Sequence, residues 1–397
     1  MSLGQAGAGL KPAPTPGTCM PGIQQPNPRR NPMRIEKVET ALYRIQRQAG
    51  LSNSTSQIDA TSLLVAHVHT DEGLEGVGWT YSHGTSGRGM KEAIDTLLAP
   101  RIIGEDPAYI ERLYDRMWKS VFPNITMSGL TTVALAPLDI ALWDLAGKVA
   151  GKPLFRLLGG YRDSVPAYGS GLDLAYSTED LLDQVTNFVD QDYWGVKIKI
   201  GRENLGEDME RLRAVRQAIG PYTPLMVDAN QRWSVGEAIT RARAMEEFNL
   251  FWLEEPILAE DHAGYERLSN TVNVALATGE GEWQPEGFLD LFQRGAVQFV
   301  QADVCRVGGV TPWMRIAQVA DAYHLPMAPH LVEEISMHLC CGASNGYLVE
   351  HLPTLNLNNT GYVLNPVLPK DGKFTPTEDP GHGVLFDWEE MEKVRIA

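Results

Sequence analysis

Cysteine is scarce in this chain, and its few copies lack the spacing of a metal site. Only four of the 397 residues are cysteine, at Cys19, Cys305, Cys340 and Cys341, and their intervals are not those of zinc ligands. The neighbours Cys340 and Cys341 are poorly placed to form a disulfide with each other. Few, unpaired thiols are typical of a reducing compartment, so the sequence predicts a cytoplasmic location.

Positive charge and long apolar runs are also lacking. The 34 lysines and arginines face 50 aspartates and glutamates, which gives a net charge of −16. Such a surface repels nucleic acid and anionic membranes. No run of 18 apolar residues occurs, and the N-terminus has no charged segment followed by an apolar core. We therefore expect neither nucleic acid nor a membrane as a partner.

Composition and periodicity divide the chain into four parts. Residues 1–32 are rich in Gly, Pro and Gln without a periodic apolar pattern, which predicts a disordered leader. Residues 33–160 show alternating stretches and then helical periodicity, an order that predicts an α+β capping domain. Residues 161–360 alternate strands with helices and form the predicted catalytic barrel. Residues 361–397 carry turn and strand signals and are expected to return to the capping domain.

Seven polar residues end seven successive short apolar runs in the barrel region. Subtraction gives intervals of 20–29 residues between them, which is close to one strand plus one returning helix. An earlier run, VPAYGS, brings the strands to eight, the number that closes a parallel α/β barrel. Polar residues at the C-terminal ends of barrel strands are typical of an active site. These strand-end residues are Lys199, Asp228, Glu254, Glu280, Asp303, His330 and Glu350.

Three consecutive strand-end residues, Asp228, Glu254 and Glu280, are carboxylates without a histidine or cysteine beside them. All-oxygen ligation favours a hard cation, and few protein ligands with room for water and substrate suit Mg²⁺. A lone acidic residue at a strand end is usually a helix cap or a surface partner, but three in register favour a metal site. Glu255 should point to the opposite face of its strand unless a bulge intervenes, so we assign it to support of the ligands.

Two further pairs suggest acid and base groups. Lys197 and Lys199 share one face of a strand, and mutual repulsion with burial should lower their pKa so that one serves as a neutral base. Solvated cations on an edge strand are the alternative. Asp303 and His330 follow neighbouring strands, where the carboxylate would fix the imidazole tautomer and raise its basicity. A lone histidine is more often structural, but this pair opposite the lysines favours catalysis.

Glu350 and Asn230 complete the predicted site. If protonated, Glu350 would donate a hydrogen bond to a developing enolate oxygen. Asn230 would contact a substrate hydroxyl or carboxylate, or form an Asx turn. A metal, a glutamate and two opposed bases predict removal of the proton beside a carboxylate, with the metal stabilising an enediolate. Reprotonation on the other face would invert the centre, whereas an acid aimed at a β-hydroxyl would expel water.

These residues lie in motifs that resemble the mandelate racemase subgroup of the enolase superfamily. The matching text is GVKIKIG, MVDANQRW, WLEEP, ATGE, QADVCRVGGVTPW, MAPHLVEEISMHL and YLVEH, and the resemblance spans roughly Ile35 to the C-terminus. It implies an α/β fold, a modified TIM barrel of (β/α)7β type with a capping domain. It also implies these roles: Mg²⁺ on Asp228, Glu254 and Glu280, Lys199 as one acid/base assisted by Lys197, His330 with Asp303 as the other, and Glu350 as electrophile.

The resemblance further implies a homo-oligomer, such as an octamer, and specificity loops near residues 48–56 and 79–86. The second loop contains Tyr81 and His83, which we assign to substrate binding or support of the site. Polar loops suit a polyhydroxylated small-molecule carboxylate, so we favour an acid-sugar dehydratase that forms a 2-keto-3-deoxy acid, although exposed loops are often polar. The alternative is a racemase or epimerase of a 2-hydroxy acid. A non-catalytic binding barrel is a remote alternative, because all seven strand-end residues are present.

Overall fold

The computed structural model describes residues 1, 32–121 and 128–397. Apart from its first and last residues, the predicted leader lies outside the described residues. The residues from Met33 to Ala397 form one compact unit.

A three-stranded antiparallel sheet opens this unit. The chain runs straight from one strand to the next, so the spatial order is also the sequence order. The turn between the second and third strands contains Gly73 with a φ of 77°, a conformation that glycine adopts without steric cost. The strands are β1 (Ile35–Gln46), β2 (Ala60–Thr70) and β3 (Glu75–Ser82).

Among the described residues, four α-helices lie between the sheet and the barrel, and the longest packs directly against the sheet. They are α1 (Gly87–Ala93), α2 (Ile110–Trp118), α3 (Leu130–Ala150) and α4 (Leu154–Leu157). The contact between α3 and β3 depends on glycine, since a Cβ on Gly78 would lie 2.1 Å from the carbonyl oxygen of Pro137. By length and composition α3 is the one described helix able to cross a membrane, although no strictly apolar run of 18 residues is present. Since 72% of its apolar window is buried inside the protein, α3 is a core helix here.

Eight parallel strand positions form the barrel. The hydrogen-bonded order is β10-β4-β5-β6-β7-β8-β9, and Met327 bridges Val300 and Gly346 to supply the position between β9 and β10. All eight predicted strand segments lie in this ring, so the predicted fold class is confirmed. The strands are β4 (Val165–Ser170), β5 (Val196–Lys199), β6 (Leu225–Asp228), β7 (Leu250–Glu254), β8 (Leu276–Thr278), β9 (Phe299–Val300) and β10 (Val349–His351).

One helix follows each strand position except the last, as a (β/α)7β barrel requires. Serine, asparagine or aspartate side chains accept a backbone N–H at the start of the first four, which is a favourable N-cap. The helices are α5 (Thr178–Asp190), α6 (Leu205–Ile219), α7 (Val235–Met245), α8 (His262–Ser269), α9 (Pro285–Gln293), α10 (Val310–Ala322) and α11 (Glu333–Gly342).

The C-terminal segment contacts both parts of the unit. Strand β11 (Lys373–Phe374) pairs with the first residues of β4, which precede the stretch of β4 that pairs with β10. After helix α12 (Trp388–Glu392), the backbone N–H of Ile396 donates to Leu42 of β1 at 2.8 Å. The end of the chain therefore reaches the antiparallel sheet, while the turn-rich part before it lies against the barrel.

Candidate active site

The three carboxylates predicted to bind a metal meet at the C-terminal end of the barrel. Asp228 and Glu254 are the last residues of β6 and β7 and are paired in the register, and Glu280 follows β8 by two residues. One oxygen from each lies within 4.8 Å of the others, and all three residues are buried. In the part of the chain that the structure describes, no other group of three His, Cys, Asp or Glu residues meets this criterion. We call this group the carboxylate triad.

Lys197 and Lys199 both face the triad from β5. Lys197 Nζ lies 2.5 Å from Glu254 Oε1 and 2.8 Å from Glu350 Oε1, and Lys199 Nζ lies 2.5 Å from Asp228 Oδ2. Burial disfavours the ammonium form, but these carboxylates outweigh it and raise the pKa of both lysines. With the charges of the protein alone, the prediction of a lowered pKa for these two lysines is therefore wrong. Repulsion between the two lysines would lower their pKa, but the carboxylates on adjacent strands outweigh it.

Glu254 is held by two neutral donors in addition to Lys197. Its Oε2 accepts hydrogen bonds from Gln301 Nε2 at 2.6 Å and from Trp252 Nε1 at 3.0 Å. Burial, with Asp228 and further carboxylates nearby, raises the pKa of Glu254 to about 8 although Lys197 opposes it. A buried cluster short of positive charge and rich in carboxylate oxygen fits a hard divalent cation. The sequence analysis missed Trp252 and Gln301, although each lies two residues before a strand-end residue and so shares its face.

Asp303 and His330 are joined as predicted. His330 Nδ1 lies 2.8 Å from Asp303 Oδ2, and the other ring nitrogen lies 3.4 Å from Glu280 Oε2. The second carboxylate oxygen of Asp303 accepts the backbone N–H of Cys305 at 2.8 Å. Burial opposes ionisation, but His330 and Arg306 hold the pKa of Asp303 below its usual value. An ionised Asp303 thus orients the ring of His330, and we call this pair the dyad.

Tyr81 reaches the dyad from the antiparallel sheet. Its Oη donates to Asp303 Oδ2 at 2.5 Å and lies 3.4 Å from His330 Nδ1. Burial, with Asp303 beside it, raises the pKa of the Tyr81 phenol well above its usual range, so the phenol remains a donor. His83 packs 5.2 Å from the Tyr81 ring, and burial lowers its pKa to about 3. The prediction of a loop over residues 79–86 is wrong as far as Ser82, because this stretch pairs with β2.

Glu350 is surrounded by hydrogen-bond donors. Lys197 Nζ lies 2.8 Å from its Oε1, and the backbone N–H of Leu331 donates to its Oε2 at 3.1 Å. Burial opposes ionisation, but Lys197 and then His330 lower the pKa of Glu350 far below its usual value. With these contacts Glu350 is ionised, so the condition for its role as a hydrogen-bond donor is not met, and its carboxylate accepts hydrogen bonds from both donors.

Glu255 and Asn230 lie where the backbone leaves regular strand geometry. Glu255 has a φ of 37°, and both of its oxygens accept from Gln231 Nε2 at 3.1 Å. Burial and the nearby Glu280 and Asp228 raise the pKa of Glu255 well above its usual value. The positive φ of Glu255 interrupts the regular alternation of the strand, which is the exception that the expectation of an opposite face allowed for. The backbone N–H of Asn230 donates to Asp228 Oδ1 at 2.8 Å in an Asx turn. Its own Oδ1 is buried without a hydrogen-bond partner among the described residues.

Arg306 is a further site residue that the sequence analysis missed. Its Nη1 donates to Glu280 Oε1 and to the Glu280 carbonyl oxygen, each at 3.0 Å. Its Nε lies 3.7 Å from Asp303 Oδ2, so one guanidinium links the triad to the dyad. Its place three residues after Asp303 was the available signal, since both lie in the loop after β9.

Two family models match the chain. The model described as mandelate racemase / muconate lactonizing enzyme, N-terminal domain, matches residues 37–159. The model described as enolase C-terminal domain-like matches residues 180–391, which is more than half of the chain. Together they cover the antiparallel sheet with its helices and most of the barrel.

Curated relatives align over most of the chain. The 3,6-anhydro-alpha-L-galactonate cycloisomerase of Streptomyces coelicolor is 32% identical over 368 residues, which cover 91% of this chain and 100% of the relative. The L-talarate/galactarate dehydratase of Salmonella typhimurium is 38% identical over 312 residues, or 77% of each protein. These relatives include both dehydratases and cycloisomerases of acid sugars.

Solved structures share the fold. A racemase from Streptomyces coelicolor with bound magnesium has a TM-score of 0.87 at 32% identity, covering 91% of this chain and 100% of the other. The Salmonella typhimurium L-talarate/galactarate dehydratase with Mg and L-lyxarohydroxamate has a TM-score of 0.87 at 31% identity, covering 95% and 96%. Magnesium in these structures agrees with the metal expected from the donor set. The chain belongs to the mandelate racemase / muconate lactonizing enzyme family of the enolase superfamily.

Proposed function

We propose that the protein is a Mg²⁺-dependent acid-sugar dehydratase. It would remove the α-proton of an aldonate or aldarate and expel the β-hydroxyl as water, forming a 2-keto-3-deoxy acid. One observation carries this proposal: two side chains that can transfer a proton lie beside two different carboxylates of the triad. Lys199 Nζ lies 2.5 Å from Asp228, and His330 Nε2 lies 3.4 Å from Glu280. A substrate whose carboxylate lies at the triad would therefore place its α-carbon between these two groups.

Asp228, Glu254 and Glu280 would hold the Mg²⁺ ion. They offer carboxylate oxygens within 4.8 Å of one another in a buried cluster with excess negative charge, which supports a hard divalent cation. When bound, the ion supplies Lewis-acid stabilisation of the negative charge that develops on the substrate carboxylate.

The chain's own residues divide the proton transfers between them. One of Lys199 and His330 takes the α-proton, and the other, in its protonated form, gives a proton to the departing β-hydroxyl. The C–H and C–O bonds break, water leaves, and the enol product becomes the 2-keto acid. Asp303 keeps the His330 ring in place. Lys197 offers an ammonium donor to the substrate carboxylate, beside Glu350.

Isomerisation is the second candidate function. The cycloisomerase of Streptomyces coelicolor aligns over its whole length at 32% identity, which favours it. The same two opposed groups would allow proton removal on one face and return on the other, as in racemisation or epimerisation. We also propose a homo-oligomer and a cytoplasmic location. The three buried free thiols, Cys305, Cys340 and Cys341, are consistent with a reducing compartment.

A panel of aldonic and aldaric acids tests the function directly. With purified protein and Mg²⁺, at least one acid should give a 2-keto product that reacts with semicarbazide, and chelation of the metal should abolish the reaction. Exchange of the substrate α-proton in D₂O should be lost in Lys199→Ala on one face and in His330→Asn on the other.

Matched variants control for nonspecific effects. Lys393→Ala removes an exposed lysine, and His324→Asn replaces an exposed histidine whose φ of 58° asparagine tolerates. Both should exchange like the wild type. Exchange that persists in both Lys199→Ala and His330→Asn would remove the base assignments, and silence across the whole panel would count against dehydration.

A further inference from the structure

A cavity adjoins the dyad between the antiparallel sheet and the barrel. Its walls include Arg47, Tyr81 and His83 on the sheet side and Leu331, Glu334 and Asn356 on the barrel side. Tyr81 donates to Asp303, and Leu331 directly follows His330. The cavity therefore lies next to the position that the reacting end of the substrate would occupy.

Arg47 brings to this cavity a guanidinium that forms no salt bridge with a described residue. Its guanidinium donates to three neutral oxygens: Thr61 Oγ1 at 2.9 Å, the Leu355 carbonyl at 2.8 Å and the Thr354 carbonyl at 3.5 Å. No described carboxylate lies within salt-bridge distance of it, and a guanidinium has five N–H donors. Burial lowers the pKa of Arg47 to about 10, although the charge of Glu334 opposes this shift.

We infer that Arg47 binds the distal carboxylate of the substrate, so that the preferred acid sugar is a diacid, an aldarate, rather than an aldonate. The triad would hold the carboxylate next to the reacting carbon, and the cavity would hold the one at the other end. A carboxylate matches the planar donor pattern of arginine and supplies its missing counter-charge. The inference rests on the proposed function, because it names the substrate class of the same site.

The backbone beside the dyad supports a functional cavity. Leu331 and Val332 both line it, and each has a φ of 46°. A β-branched residue such as Val332 rarely adopts this left-handed conformation. Such strain persists where the surrounding structure requires one local shape. Here it places two apolar side chains in the wall immediately after His330.

Glu334 is the one wall residue that would oppose a second carboxylate. Its Oε1 accepts the backbone N–H groups of Leu357 at 2.8 Å and Asn358 at 3.1 Å. Burial and the adjacent Glu333 raise the pKa of Glu334 to about 7, so it is not a fully charged anion at neutral pH. The competing idea is that Arg47 and Glu334 together bind the neutral hydroxyl end of a monoacid, and a comparison of diacid with monoacid substrates separates the two.

Matched pairs of substrates test the inference. Each pair is an aldarate and the aldonate with the same configuration, and both binding by titration calorimetry and 2-keto product formation are measured with Mg²⁺. The wild type should favour the diacid. Arg47→Met should weaken diacid binding and kcat/KM by about 10- to 100-fold, mainly through KM, while monoacid values change by less than about threefold. Arg47→Lys, which keeps the charge, should retain part of the diacid preference.

Arg44→Met is the matched control, since Arg44 is an exposed arginine of β1, the strand that ends immediately before Arg47. It should leave both members of each pair unchanged. Equal loss for diacid and monoacid in Arg47→Met would mean that Arg47 only supports the loop at Thr354 and Leu355, and it would overturn the inference. A wild-type preference for monoacids, or no binding of any acid, would do the same. Arg47-dependent diacid binding without any product would sustain the inference and remove the dehydratase proposal.

Discussion

Replacement of Tyr81 by phenylalanine isolates one hydrogen bond between the antiparallel sheet and the dyad. The Tyr81 hydroxyl donates to Asp303 Oδ2 at 2.5 Å, the same oxygen that lies 2.8 Å from His330 Nδ1. The variant keeps the aromatic ring and removes only the hydroxyl. Asp303 keeps its backbone donors, Cys305 at 2.8 Å and Arg306 at 3.2 Å, so its carboxylate should remain in place.

The size of the effect follows from the charge of the acceptor. The pKa of Asp303 lies below its usual value, so the lost bond is to an ionised carboxylate, and such bonds contribute about 1.5–3 kcal/mol. For a unit of this size that corresponds to a melting temperature lower by about 2–4 °C. Removal of a hydrogen-bond partner that supports an active-site histidine should also slow proton exchange on the His330 face by about tenfold. Tyr81 does not contact Lys199, so exchange on that face should be unchanged.

Face-resolved exchange provides the assay. Substrates epimeric at the α-carbon are incubated in D₂O with Mg²⁺ and followed by proton NMR, and melting is recorded by circular dichroism. Tyr43→Phe, the same change at a buried tyrosine of β1, serves as the control and should leave both exchange rates unaltered. An unchanged melting temperature with unchanged rates would show that the Tyr81 contact contributes nothing. Equal slowing on both faces would mean a general loosening of the site instead.

Two further changes test the packing and the electrostatics of the fold. Gly78→Ala should destabilise the protein by about 3 kcal/mol, because its Cβ would lie 2.1 Å from the Pro137 carbonyl oxygen, whereas Gly84→Ala, with nothing within 4 Å, should have little effect in the same thermal melts. Burial raises the pKa of Asp139 from 3.8 to about 7 against the hydrogen bonds from Thr311, so the folded state binds this proton more tightly than the unfolded one. Stability from this group is therefore complete below about pH 4 and is lost as the pH rises through 7, by at most about 4 kcal/mol. Asp139→Asn should reduce the fall in melting temperature between pH 5 and pH 8, and an unchanged pH dependence would contradict the assignment.

The barrel could be predicted because its signals are local. Each of the eight strands is a short apolar run, and a polar residue at its end recurs after one strand and one helix. Parallel β/α repeats bring such ends to one edge, so the sequence predicts that Asp228, Glu254 and Glu280 meet. Alternation along β5 likewise placed Lys197 and Lys199 on one face. The loop predicted over residues 79–86 is wrong as far as Ser82, because polar aromatic residues such as Tyr81 can lie in a paired strand as well as in a loop.

The other features of the candidate site depend on contacts between residues that are far apart in the sequence. Tyr81 and Asp303 are 222 residues apart, and Arg47 and Leu355 are 308 residues apart, so no local pattern relates them. Charge states depend on such distances too, since Coulomb energies fall with separation and rise with burial. For this reason the pKa of Lys197 and Lys199 is raised, opposite to the sequence-based expectation. The order of residues along the chain was enough for the barrel, the triad and the dyad. Folding in three dimensions alone settled which charges face each other and which residues line the cavity beside the dyad.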